Sequence, residues 1–424
     1  MNILIKNVLV LNDKGEGETT AIAIEDDKIK SVGAVPTDFV AAETIDGTDM
    51  LAVPGFVNAH THASMTLLRS FADDMELMPW LQKIWPIEDL MTPEDLYWGA
   101  MLAAAEMIRS GTTTFADMYG PFMDKVAEAT IESGLRGVLS RGIVGVAPGF
   151  EDKLDTGVKL YRDYHGAQGR ITVMMSPHAI YTCTEEQIKK IAATAQKLGA
   201  DVHIHMSETA DEVENCLKEH GKRPFAYVES TRLFESGTLA AHCVHLDDED
   251  IGIIKKRNIH AVHNPGSNMK LASGVAPVQR LLSEGVCVAL GTDGASSNNN
   301  LDMLEEIRLA ALLGKIETGD PTAIPATTAL KMGTEYGAKA VGLDNVGALK
   351  PGYQADITLF SLKSPCWHPR HNLASLLVYS AASSSVDTVL VAGRVLLRKG
   401  AFTLLDEERV LFEASRAAYR LCGK

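Results

Sequence analysis

The sequence contains no C-x-x-C pair: its six cysteines, Cys183, Cys216, Cys243, Cys287, Cys366 and Cys422, are scattered along the chain. That spacing excludes a zinc finger or disulfide framework, assigns the thiols to the core and fits a reducing cytoplasm. Runs of five or six Lys/Arg are also missing, and the formal net charge is −15. The footprint needed to hold a phosphate backbone is therefore lacking, and nucleic-acid binding is not expected. Long apolar runs are absent too. Stretches such as Ala100 to Ile108 contain a charge and fall short of a membrane span, so no membrane association is expected. The first ten residues have no basic segment ahead of their apolar ones, and Lys6 and Asn7 interrupt them. They read as a β-strand rather than a signal peptide.

What remains is ordinary for a soluble globular protein: 424 residues, 46% hydrophobic and 22% charged, enough for one large core plus a smaller module. From about residue 53 to 293 a short apolar β-rich run, a loop and a helical stretch recur, the pattern of successive βα units with a parallel sheet. Eight runs are counted: Val53 to Ala59, Thr112 to Asp117, Gly137 to Arg141, Ile171 to Ser176, Val202 to His205, Leu239 to His242, Ile259 to Val262 and Val286 to Gly291. Helical spacing marks Pro93 to Arg109, Glu185 to Leu198 and Ala276 to Glu284. Eight such units close into a (β/α)8 TIM barrel. Short alternating strands (Ile3 to Leu9, Ala21 to Glu25, Lys28 to Val32) precede it, and others (Ala355 to Leu359, Val386 to Val391) follow it. The expected domains are therefore a barrel over 53–345 and a composite β-sandwich built from 1–52 and 346–424, the latter ending in a helix.

In Asn58-Ala59-His60-Thr61-His62 the two histidines are two apart, so at a strand end both side chains leave the same face, into the barrel mouth. Ionisable or polar residues close almost every other run: Asp117, Arg141, His178, His205, His242, Asn264 and Asp293. Barrel chemistry is expected at that rim. Three imidazoles and one carboxylate suit zinc or a similar borderline divalent ion, with one position left for water. No other complete catalytic set is present: the P-loop, the dinucleotide fingerprint, G-x-S-x-G, H-E-x-x-H and the H-x-E with P-C-x-x-C of cytidine-type deaminases are all missing.

At these motifs the sequence closely resembles the 5-methylthioadenosine/S-adenosylhomocysteine deaminase family of the amidohydrolase superfamily. The resemblance rests on Pro54 to His62, Trp85-Pro86-Ile87-Glu88, Ser140-Arg141-Gly142, Ser176-Pro177-His178, His205-Met206-Ser207-Glu208, Ala241 to His245, His263 to Asn268 and Gly291-Thr292-Asp293-Gly294. It continues to Gly352 to Asp356 and Val391 to Arg394 in the tail. Guanine deaminases and s-triazine hydrolases share most of these motifs and stand as alternatives, as does a non-catalytic scaffold on the same fold.

The resemblance implies that His60, His62, His205 and Asp293 ligate one divalent ion per chain, zinc before iron(II) or manganese(II). Binuclear relatives place a bridging Lys or Glu after the fourth strand, where this chain has Ser176-Pro177-His178. It further implies Glu208 as proton donor to the purine ring, Asp293 as proton acceptor and His242 as support for the attacking hydroxide. Glu88 would sit on the ribose hydroxyls, with Arg141 and His178 lining the nucleoside site. Where some relatives carry a second arginine, in the loop Val144 to Leu160, this chain has Lys153, a point charge rather than a fork. The implied partner is a small nucleoside, and a homo-oligomer is compatible with the sequence. Met75, Leu77, Met78 and Trp80 are the expected apolar wall for a 5′ substituent.

Overall fold

The computed structural model describes residues 2–423. Eight parallel strands follow one another in chain order and in space: Phe56–Thr61, Thr112–Tyr119, Arg136–Ile143, Ile171–Pro177, Val202–Met206, Thr238–His242, His260–His263 and Val288–Leu290. The eighth returns to the first, where the Asp293 N–H donates to the His60 carbonyl at 2.9 Å. Alternate side chains go to two cores, as a period of two requires. Phe115, Leu139, Val173 and Ala240 join the large helix-facing core, whereas Ala116, Val138, Met174 and Leu239 join a second cluster inside the barrel.

The helices between strands begin where their caps are. Thr92 accepts from the Asp95 N–H while Asp95 accepts from the Thr92 N–H, with Pro93 in the first turn, so the helix runs Pro93–Arg109 as expected. Thr184 and Gln187 form the same box for Glu185–Leu198. The expected Ala276 to Glu284 helix is shorter, Val278–Ser283, because Pro277 occupies its cap.

The expected first strand, Val53 to Ala59, is in fact two. Met50–Pro54 pairs antiparallel with Ile357–Ser361 in a separate nine-stranded sheet, and only Phe56–Thr61 enters the barrel. Gly55 is the joint: a Cβ there would stand 2.1 Å from Thr113 Cγ2, so the two strands pass too closely for any side chain. The nine-stranded sheet takes strands from both termini and curls over a core containing Ile3, Ile5, Ile24, Ile357 and Leu359, with Lys28 bridging to Gln354. No described helix is long and apolar enough to cross a membrane.

The two sheets are fastened by an enclosed ion pair. Arg136, opening the third barrel strand, reaches Asp356 with Nε at 2.9 Å and Nη2 at 3.2 Å, both side chains under 5% exposed. Asp356 also accepts from the Ala392 N–H at 2.7 Å. Asp356→Ala would leave the guanidinium buried and unpaired, a loss of about 3–5 kcal/mol, and chemical denaturation should show a much earlier midpoint than wild type.

Candidate active site

The C-terminal ends of the barrel strands converge on one buried cluster. His60 and His62 come from the first strand, His205 from the fifth, His242 from the sixth and Asp293 from just past the eighth. His62 Nε2 lies 3.1 Å and His60 Nε2 3.4 Å from Asp293 Oδ1. Ligand atoms of His60, His62 and Asp293 lie within 4.8 Å of one another, as do those of His60, His205 and His242. The four sequence-expected ligands therefore span two triads that share His60, and His242 stands closer to them than the sequence suggested. Asp293, His242, Cys243 and Ser207 have φ of +62°, +74°, +51° and +51°. These left-handed conformations are uncommon for residues with side chains and cluster at functional sites. Gly291 lets the eighth strand close on the first: a Cβ there would meet the His60 backbone N at 2.8 Å.

The donor set fits a divalent ion. His60 Nε2 is buried without a hydrogen-bond partner, although buried polar atoms nearly always have one. The opposite nitrogens are held from behind: His60 Nδ1 by His203 Nε2 at 2.8 Å, His62 Nδ1 by the Met118 carbonyl, and His205 Nδ1 by the His178 carbonyl at 2.8 Å. Such backing turns each Nε2 toward a common centre, as metal-ligating imidazoles require. Burial would raise the Asp293 pKa, yet the His60 and His62 imidazoles facing it hold it well below the usual carboxylate range.

Beside this centre, Glu208 Oε2 lies 3.6 Å from His242 Nε2, and Ser273 donates to Glu208 Oε1 at 3.4 Å. Burial pushes the Glu208 carboxyl above its ordinary pKa. A cavity of about 940 Å³ opens from here, lined by His62, His242, Asp293 and Glu208 and also by Glu88, Arg141, Lys153 and His178. Tyr119 donates to Glu88 Oε1 at 2.6 Å, and burial raises the Glu88 pKa against that bond. Arg141 donates to the Tyr119 and Gly142 carbonyls, with burial lowering its pKa to about 10. His178 Nδ1 pairs with Thr182 Oγ1 at 3.1 Å.

Two expectations need correction. The loop Val144 to Leu160 is largely helix, Phe150–Tyr164, because Leu154, Gly157 and Leu160 share a buried face behind the acidic first turn of Glu151 and Asp152. Lys153 is on that helix and donates back to the Val144 and Ala147 carbonyls at 2.9 and 3.3 Å. Of the four expected apolar wall residues, Leu77, Met78 and Trp80 line the cavity and Met75 does not. At the rim, Asp117 accepts from the Ala63 N–H at 2.6 Å, fixing the turn after His62 rather than facing the cavity.

Residues 51–396 match the Amidohydrolase family. The chain belongs to that family. Over 100% of its length it is 51% identical to a 5-methylthioadenosine/S-adenosylhomocysteine deaminase from Pelotomaculum thermopropionicum, of which 99% is covered. A protein of the same name from Desulforudis audaxviator is 50% identical, with 99% of each chain covered. Among solved structures, an adenosine deaminase from Xanthomonas campestris with bound zinc superposes with a TM-score of 0.94 at 33% identity, covering 100% of this chain and 99% of that one.

Sequence reasoning missed several groups that serve this amidohydrolase site from behind. His203 backs His60, Asn268 Oδ1 accepts from His242 Nδ1 at 2.9 Å, and the Ser267 and Ser297 hydroxyls donate to Asp293 Oδ2 at 2.6 and 2.9 Å. Glu212 accepts the Ser207 and Glu208 N–H groups, both at 2.8 Å, one on each oxygen. Burial raises its pKa to about 7 despite them. Ser267 and Asn268 stand in a stretch already marked as a motif, and His203 is two residues before His205, on the same strand face. Replacing His203 with Leu leaves His60 Nδ1 unpaired and should weaken retention of a divalent ion about 10–100-fold. Competition against a chelator would measure it; unchanged retention would mean that His203 does not orient His60.

Proposed function

We propose that this chain is a metal-dependent hydrolytic deaminase that converts the 6-amino group of adenosine-type nucleosides to the inosine analogue and ammonia. Its substrates would include 5′-methylthioadenosine and S-adenosylhomocysteine. The observation that carries this reading is one cavity lined both by Glu208, His242 and Asp293 and by Glu88. Full-length relatives at about half identity bear the corresponding name.

One zinc ion per chain would be held by His60, His62, His205 and Asp293. When bound, zinc supplies Lewis acidity that brings a water pKa toward neutrality. Asp293 accepts the proton of the attacking water, helped by the serine hydroxyls that keep its second oxygen in place. Glu208 is suited to donate, because burial keeps its proton on to higher pH than usual. It protonates N1, so that C6 becomes electrophilic and the C6–O bond forms. His242, turned by Asn268 so that Nε2 faces Glu208, steadies the added oxygen. The proton on Asp293 passes to the amino nitrogen, the C6–N bond breaks and ammonia leaves. The remaining oxygen-bound proton restores Glu208.

At the other end Glu88 would accept from both ribose hydroxyls, while Tyr119 holds the carboxylate in place. A free nucleobase or a triazine would leave that carboxylate unmatched, which argues against the guanine deaminase and triazine hydrolase readings. A complete donor set argues equally against a non-catalytic scaffold. Leu77, Met78 and Trp80 offer apolar surface for a thioether, and Lys153 with Arg141 offers charge for a carboxylate at the far end. Cysteines joined by no disulfide among the described residues fit the cytoplasm.

Glu208→Gln should retain zinc and lose turnover by about a hundredfold to ten-thousandfold, read as ammonia release beside elemental analysis. In a panel of 5′-methylthioadenosine, S-adenosylhomocysteine, 5′-deoxyadenosine, adenosine, adenine and guanine, the free bases should be poorest. The unmatched Glu88 costs them about 1–3 kcal/mol, roughly tenfold to a hundredfold in kcat/KM. Faster turnover of adenine or guanine than of 5′-methylthioadenosine would refute the substrate reading.

A further inference from the structure

Behind Asp293, on the side away from the cavity, stands a carboxyl group that the mechanism leaves without a task. Glu306, in the first turn of the helix Met303–Thr318, is 0% exposed and forms no ion pair among the described residues. Enclosing a carboxyl without a cation is costly unless its oxygens find donors. Both do. Glu306 Oε2 accepts from the Gly266 N–H at 2.9 Å, and Oε1 accepts from Asn298 Nδ2 at 2.8 Å. The same Asn298 amide also donates to the Thr292 carbonyl at 2.8 Å.

The two donors are direct chain neighbours of the two hydroxyls on Asp293. Gly266 precedes Ser267, whose Oγ donates to Asp293 Oδ2 at 2.6 Å. Asn298 follows Ser297, whose Oγ donates to the same oxygen at 2.9 Å. Thr292, tied through Asn298, precedes Asp293 itself, which is held at φ +62°. The segments 264–270 and 292–299 are irregular or short helical pieces. One buried carboxyl on a long helix therefore joins two segments that a strand ladder does not.

We propose that Glu306 is the positioning residue for Asp293: by clamping Gly266 and Asn298 it holds the Ser267 and Ser297 hydroxyls in register on Asp293 Oδ2. That leaves Oδ1 aimed at His60 and His62 and fixes the direction in which the carboxylate can bind an ion or take a proton. This rests on the reading of Asp293 as ligand and base given above. Burial pushes the Glu306 pKa up to about 8, with the Gly266 N–H and Asn298 opposing it. Neutral or charged, the carboxyl offers two oxygens to two donors, whereas a glutamine offers only one and turns an N–H₂ group toward the other donor.

The test is a mutant cycle between Glu306→Gln and the paired Ser267→Ala/Ser297→Ala change, read on zinc affinity by chelator competition and on kcat and KM separately. Glu306→Gln alone should weaken zinc binding and lower kcat, each about 10–100-fold, with KM changed less than about twofold. In the alanine background the same substitution should cost less than about twofold, because its route to Asp293 is already cut. Asn298→Ala, which opens one arm of the clamp without touching the carboxyl, should act in the same direction and show the same non-additivity. It also serves if Glu306→Gln fails to fold. Equal losses in both backgrounds, or zinc affinity and kcat unchanged by either single variant, would overturn the proposal. Zinc affinity is measured without nucleoside, so absence of deamination in the wild type would sink the proposed function while the clamp is still tested.

Discussion

An enclosed carboxylate surrounded by imidazoles, with no lysine or arginine paired to it among the described residues, is the condition to which the rest of this structure answers. Asp293 is 5% exposed, and a bare negative charge in such a place is untenable unless positive charge and hydrogen-bond donors are brought to it. His60 and His62 supply the first. Burial alone would lower the His62 pKa, yet Asp293 raises it to about 9, whereas His60, more deeply enclosed and facing His62, falls to about 4. Two imidazoles cannot share one carboxylate equally, and a divalent cation among them satisfies all three groups at once.

The fold meets this demand by placing each group at the end of a different strand and backing it with another. The first strand brings two histidines, the fifth brings His205 together with His203 two residues earlier, and the sixth brings His242 at a left-handed turn. Barrel closure then places them within contact distance. The strain of four non-glycine residues at positive φ, about 1–3 kcal/mol each, is sustained by a barrel core packed on both sides of every strand and by the second sheet, which Arg136 and Asp356 fasten to it.

Polarity in the cavity is divided among its lining residues. Near the strand ends stand the buried titratable groups, and Glu212 and Asn268 fix the backbone of Glu208 and the ring of His242. On the same wall Glu88 with Tyr119 presents acceptors, whereas Arg141 and Lys153 present donors whose hydrogen-bond partners among the described residues are carbonyls. Trp80, Leu77 and Met78 add apolar surface to that wall. One cavity thus brings carboxyl, imidazole, cationic and apolar groups together on a single wall.

From sequence alone, the period of two in the strands, the helical spacing over Pro93 to Arg109 and Glu185 to Leu198, and the spacing of His60 and His62 were all legible, because each is a relation between residues a few positions apart. So was the rim, since a polar residue that ends an apolar run has few places to go. The division of Val53 to Ala59 at Gly55 was not legible: both sides read as one apolar run, and only their partners, Ile357–Ser361 and Thr112–Tyr119, tell them apart. The helix carrying Lys153 was read as loop because its buried face has only three small or apolar positions. The contacts that aim the chemistry join residues far apart in the chain, His60 to His203 across 143 positions, Glu306 to Gly266 across 40 and Asp293 to Ser267 across 26. Sequence spacing fixes which face a side chain leaves, but which other face it meets is set by barrel closure, and that distance is not a local property of the chain.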